Sequence, residues 1–219
     1  MTWLYLVAAT AFCLAPLAAA LPPAAEVMPL ISAIAEQTDV PNLVSGVILY
    51  TRLYDTVAEV VVFTLASIGV RFLFAGEPAK ARVRGLDDPP SVVLCQLSGT
   101  IAALIGVELA LRGHLSPGGG FAAGVAGGTA IGLGLISGSA SLSDRLYSQY
   151  RADLWEKAAV IAFVLLAALA LGGLPLPPGR FGSLASGGWI PLLNILVAIK
   201  VTLGSWAMVQ LFVRHRGLL

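Results

Sequence analysis

Asp55 and Glu59 stand four residues apart at the head of an apolar run that continues to Phe74. That spacing puts both carboxylates on one face of a helix. Two acids facing a hydrated cavity can hand a proton along, or hold a sodium ion together with backbone oxygens. The same residues allow a quieter reading, in which Thr56-Val57-Ala58-Glu59 is a capping box that opens the span. Glu108 precedes Arg112 by four and His114 by six. This predicts either a helical ion pair near the interface or a proton site beside an imidazole that titrates at about 6.5. Lys200 is the most demanding residue. It lies near the middle of the apolar stretch Trp189 to Val213, beyond easy snorkelling range, and requires a carboxylate partner. Glu59, Glu108 or an acid on another subunit qualifies. A desolvated lysine loses its proton readily, so a relay and a plain buried ion pair both fit. A charge at the bilayer centre costs about 2.5–3.5 kcal/mol on insertion scales, so each of these groups needs a reason to be there.

The elements that carry these groups are membrane helices. Of 219 residues, 58% are hydrophobic and 11% charged, with a mean hydropathy of +0.88. Soluble domains carry about 25% charged residues, so this chain has too little polar surface for a water-soluble body. The expected fold is all-α and polytopic, with about six transmembrane helices. Met1 to Leu21 is free of charge and long enough to cross a bilayer. It lacks the basic start of a signal peptide, so a retained first helix is expected. Pro22 to Pro41 reads as a loop. Asn42 to Leu49 reads as a short amphipathic or partly inserted segment, divided from a second span at about Thr56 to Phe74 by the polar break Tyr50-Thr51-Arg52-Leu53-Tyr54-Asp55. The charged linker Ala75 to Pro90 marks a module boundary. Further spans are expected at Ser91 to Leu111, Pro117 to Ile136, Lys157 to Leu171 and Trp189 to Val213, with a polar segment at Ser137 to Glu156 and a Pro/Gly loop at Gly172 to Gly188.

Between the third and fourth spans runs Arg112 to Gly132, RGHLSPGGGFAAGVAGGTAIG. Ser116-Pro117 predicts an N-cap and first helical residue. Gly120, Gly124, Gly128 and Gly132 recur by four, which places a close-packing face on one side of the helix.

Basic residues give an orientation. Arg71, Lys80, Arg82, Arg84, Arg145, Arg151, Lys157, Arg214 and Arg216 fall on one side of six alternating spans, and Arg52, Arg112 and Arg180 on the other. The positive-inside rule then expects both termini in the cytoplasm of a cell (plasma or inner) membrane. Cys13 and Cys95 lie in apolar runs without metal or redox spacing. No glycine-rich loop follows a strand and no cysteine cluster exists, so no nucleotide, flavin, iron–sulfur or other cofactor, and no metal, is expected. No Ser or Cys sits beside a recognisable base, and no catalytic site of its own is expected. Nothing points to nucleic acid.

With those residues in hand, Arg112 to Gly124, RGHLSPGGGFAAG, resembles the signature of MnhB/MrpB-type subunits of multisubunit Na+/H+ antiporters, usually GHN-x-PGGGF; Leu115 stands where Asn is common. The likeness covers about Ser91 to Leu219 and implies a four-helix module at 91–219. Asn42 to Gly69 is similar to the tail of the large antiporter subunit and to the MbhE-like subunits of membrane-bound hydrogenases. Their DT-x-GE pattern appears here as Asp55-Thr56-Val57-Ala58-Glu59, with Ala58 for Gly. This implies a two-helix module at 1–80, with Asp55 and Glu59 as ion-path residues. The two resemblances together imply two small subunits fused in one chain. Such a chain would have other membrane subunits of an Mrp-type antiporter or hydrogenase-like complex, Na+ and H+, and the lipid bilayer as its partners, in an assembly related to the membrane arm of respiratory complex I. The competing expectation is a scaffold that only docks its neighbours.

Overall fold

The computed structural model describes residues 24–217 other than 81, 82, 84 and 178. Helix α1 spans Ala24–Thr38. The short α2, Leu43–Gly46, runs into a wide π turn at Val47–Thr51, and α3 spans Leu53–Phe74. Helix α4 covers Pro89–Arg112, and α5, Gly119–Gly134, ends in a π turn at Leu135–Ser139. Helices α6 (Ala140–Gln149), α7 (Ala152–Leu171) and α8 (Ile190–Arg216) complete the order. Among the described residues, α3, α4, α5 with its π turn, α7 and α8 are long and apolar enough to cross a membrane. The chain is a multi-pass, all-α membrane protein. The expected span at Met1 to Leu21 lies outside the described residues.

Local chemistry sets the helix ends. Asp88 caps α4 by accepting from the Ser91 backbone N–H at 3.1 Å and from the Ser91 hydroxyl, and Pro89 and Pro90 occupy positions whose N–H groups would be unpaired anyway. The segment read as a loop before Pro41 is helical, and so is part of the polar segment before α7. Ala24–Thr38 carries Pro29 inside it, which hides a helix from a reading that treats proline as a breaker. Ala140–Gln149 is a polar helix lying outside the apolar spans. The start of α5 also differs from expectation: its N-cap is Gly118 rather than Ser116. Ser116 instead finishes the turn after α4, its N–H donating to the Arg112 carbonyl at 3.0 Å. Its own carbonyl accepts from Asn42 Nδ2 at 2.8 Å. The backbone then swings through φ +138° at Gly118 and +77° at Gly119, angles that favour glycine.

Helix α8 is the hub. Of its apolar window 44% is buried inside the chain, against 11–28% for the other four spans. One stripe, Leu193, Val197 and Val201, enters the core with Phe163 and Ala167 of α7 and Leu53 and Val60 of α3. The core therefore joins residues from both expected modules. The adjoining stripe meets the glycine face of α5. A Cβ at Gly120 would strike the Asn194 carbonyl, one at Gly124 would strike Val201, and one at Gly128 would come within 2.7 Å of Ser205. Gly132 faces open space, so the close-packing face ends one turn earlier than its spacing suggests.

One end of the bundle is tied by polar and aromatic contacts. Lys80 N–H donates to the Arg214 carbonyl at 2.9 Å, and Arg216 pairs with Glu77 at 2.8 Å. Phe74 stacks on His215 with ring centroids 4.8 Å apart.

Candidate functional site

Lys200 finds its carboxylate within the chain. It is 1% exposed and Glu156 is 5% exposed; Lys200 Nζ donates to Glu156 Oε1. The other oxygen, Oε2, accepts from Arg71 Nη2 at 3.0 Å, and Arg71 also reaches the Tyr147 hydroxyl at 3.5 Å. Above the ammonium lies the Phe63 ring, its centroid 5.5 Å from Nζ. Gly204, one turn along α8, leaves the room this cluster needs. A Cβ there would come within 2.7 Å of Phe63 Cε1, 3.3 Å of Glu156 Oε1 and 3.4 Å of Lys200 Nζ.

Thus two cations share one buried carboxylate. Arg71 gives Glu156 a second counter-charge besides Lys200, so the buried carboxylate is bonded through both of its oxygens. Sequence reasoning missed Glu156 because it placed the span's start at Lys157. The helix starts at Ala152, which carries Glu156 one turn into the span. A signal existed. Asp153 has Lys157 four residues on and pairs with it at 3.6 Å, whereas Glu156 has only Ala152 and Val160 at those offsets. A helical acid without a helical partner must look across the bundle.

Asp55 and Glu59 part company. Because α3 opens at Leu53 with Arg52 before it, Thr56 lies inside the helix and donates its hydroxyl to the Ile48 carbonyl at 3.1 Å. No capping box forms. Asp55 pairs with Arg52 at the exposed helix start. Glu59 lines a cavity of about 220 Å³, together with Asn42, Ser45, Thr56, Gly118–Gly120, Phe121 and Asn194. The Phe121 ring, which lines this cavity, meets edge-on at 5.8 Å the Phe63 ring on which the Lys200 ammonium lies.

Glu108 and Arg112 pair at 2.8 Å with half-exposed side chains. His114 shares no hydrogen bond with them. It is wholly buried, and neither ring nitrogen has a partner at hydrogen-bonding geometry. Burial holds its pKa below the ordinary 6.5, and the nearby backbone of Ser183 and Leu184 opposes that only in part. The imidazole is accordingly a neutral, packed side chain.

A family model described as "Domain related to MnhB subunit of Na+/H+ antiporter" matches residues 90–207. Among solved structures, the fold is similar to that of a chain in the membrane-bound sulfane sulfur reductase, an archaeal respiratory membrane complex. The TM-score is 0.71 at 23% identity, over 97% of this chain and 95% of that one. The likeness in fold therefore runs through the front segment as well as the matched domain. No curated protein matches the chain.

Proposed function

The chain belongs to the family of domains related to the MnhB subunit of Na+/H+ antiporters, and from that premise we propose that it contributes directly to ion translocation. It would do so in an Mrp-type antiporter, or in the antiporter-like module of a hydrogenase-related respiratory complex. Its partners in this reading are the other membrane subunits, Na+ and H+, and it has no catalytic site of its own. Residues 1–80 and 91–219 would correspond to two neighbouring subunits joined in one chain. The basic end would face the cytoplasm of the cell membrane.

The observation that carries the reading is the Lys200–Glu156 pair, buried between spans with Arg71 on its other side. Keeping two ions in hydrocarbon costs more than filling the space with apolar side chains, which favours a working role over a structural one. Glu59, at the cavity that Phe121 also lines, would serve as the entry. Lys200 would then give up or regain its proton as the ion comes and goes. The scaffold alternative loses its main support, since the Gly120, Gly124 and Gly128 face is filled by α8 of the same chain.

The test is ion exchange by the whole complex in inverted vesicles carrying Lys200→Met or Glu156→Gln, with assembly checked on native gels. Exchange should fall to background in assembled complex. Wild-type exchange in both variants would refute a translocating role.

A further inference from the structure

The linker between α3 and α4 is pinned to the bundle at two points. Leu86 N–H donates to the Ile136 carbonyl at 3.0 Å, and a Cβ at Gly85 would come within 2.7 Å of the Gly138 backbone. Lys80 makes the other attachment. Its backbone N–H donates to the Arg214 carbonyl at 2.9 Å and its ammonium to the Arg216 carbonyl, so it closes the last turn of α8 as cations do at helix C-termini. Between these attachments the linker, the π turn after α5, the start of α6 and the end of α8 surround a cavity of about 370 Å³.

Its polar lining is unmatched. Lys80 and Arg214 line it with a single acid, Asp144. Arg214 is exposed, and among the described residues its guanidinium has no carboxylate partner, unlike those of Arg52, Arg71, Arg112 and Arg216. Asp144 accepts instead from Gln210 Nε2. That bond fixes the amide, and its Oε1 is left buried without a donor. The cavity therefore offers cationic N–H donors together with an acceptor oxygen that a hydroxyl can satisfy.

Position selects the ligand. Helices α5 and α8 both end at this cavity, and the linker that walls it joins the end of α3 to the start of α4. It thus lies level with the boundary between hydrocarbon and water. Basic pockets between spans at this level hold anionic headgroups, and Lys and Arg bind phosphate through charge-assisted hydrogen bonds. Two cations opposed by one acid suit one phosphate rather than two. Leu135 and Val213 in the same lining give the glycerol esters an apolar wall.

We propose that this cavity binds an anionic phospholipid with one phosphate and a hydroxylated headgroup, of the phosphatidylglycerol class. Its phosphate meets Lys80 and Arg214, and its headgroup hydroxyls meet Gln210 Oε1. Such a site requires only that the chain span a membrane, and is independent of ion movement through it.

The test is lipid binding to the purified, delipidated complex by native mass spectrometry. The probes are phosphatidylglycerol, phosphatidylcholine and phosphatidylethanolamine with the same acyl chains. Wild type should hold phosphatidylglycerol about tenfold more tightly than either zwitterionic lipid, and Arg214→Gln should weaken that binding roughly fivefold. Lys80→Gln should do the same, and Lys80→Arg should keep wild-type binding. Should Lys80→Gln fail to assemble, Arg214→Gln decides alone, because its side chain bonds to nothing else among the described residues. Equal binding of the three lipids by wild type, or an undiminished preference in Arg214→Gln, would overturn the site. Displacement of the lipid by an equal concentration of glycerol 3-phosphate would overturn the lipid assignment in favour of a soluble phosphate.

Discussion

Glu108–Arg112 and Glu156–Lys200 are the same chemistry in two settings. The first pair spans one helical turn with both side chains half-exposed; the second joins two helices and is closed off from every side. In an exposed pair, each ion keeps most of its solvation and the pairing is worth only a few tenths of a kcal/mol. In the buried pair each ion depends wholly on the other and on Arg71, so the loss of one partner is felt across the bundle. Burial turns an ordinary ion pair into one whose partners cannot be replaced by water.

The contrast predicts where substitutions bite. Glu156→Gln should be the most damaging, destabilising the subunit by about 3–5 kcal/mol, because it leaves the Lys200 ammonium buried without a counter-charge. Adding Lys200→Met should recover part of that loss. A double-mutant cycle on thermal unfolding checks it, and additivity would mean the two groups are not coupled in the membrane. Gly124→Leu comes next. Its side chain must displace Val201 and the Ala198 carbonyl, so a loss of about 1–3 kcal/mol or more is expected, seen as failed assembly or a lowered Tm. The same change at Gly132, which faces open space, should be close to silent.

His114 provides a smaller, pH-dependent effect. Its folded pKa lies below the ordinary 6.5, so between those two values the unfolded chain binds a proton that the folded chain does not. Stability from this group is complete above 6.5 and falls as pH drops toward the folded value. The Tm of His114→Phe should lack that part of the acid slope; an unchanged slope would show that the imidazole titrates freely in the fold. Smallest of all, Glu108→Gln should shift stability by about 0.2–0.5 kcal/mol and leave ion exchange intact. A large transport defect there would erase the distinction between the two pairs.

Much of this was legible without coordinates, for identifiable reasons. A bilayer demands long apolar helices, so the spans from Ser91 and Trp189 appear within a few residues of their expected limits. Glycine at every fourth position can only pack closely, and three of the four do. The need of Lys200 for a buried acid was equally plain, because hydrocarbon offers no other way to keep an ammonium charged. Which acid answers was not. Glu156 is 44 residues away, and its depth depends on where α7 begins, which Arg151 in a left-handed turn decides.

Composition and spacing by themselves thus determined a polytopic helical membrane protein, its glycine turn, and the residues whose charges require an explanation. Those follow from solvation, which acts on each residue type wherever it lies in the chain. Only the tertiary structure decided that Lys200 pairs with Glu156 and Arg71, that Asp55 turns to Arg52 while Glu59 faces a cavity, and that the glycine face serves α8 rather than a neighbouring subunit. Pairing depends on distances between helices remote in sequence, and no local pattern encodes those.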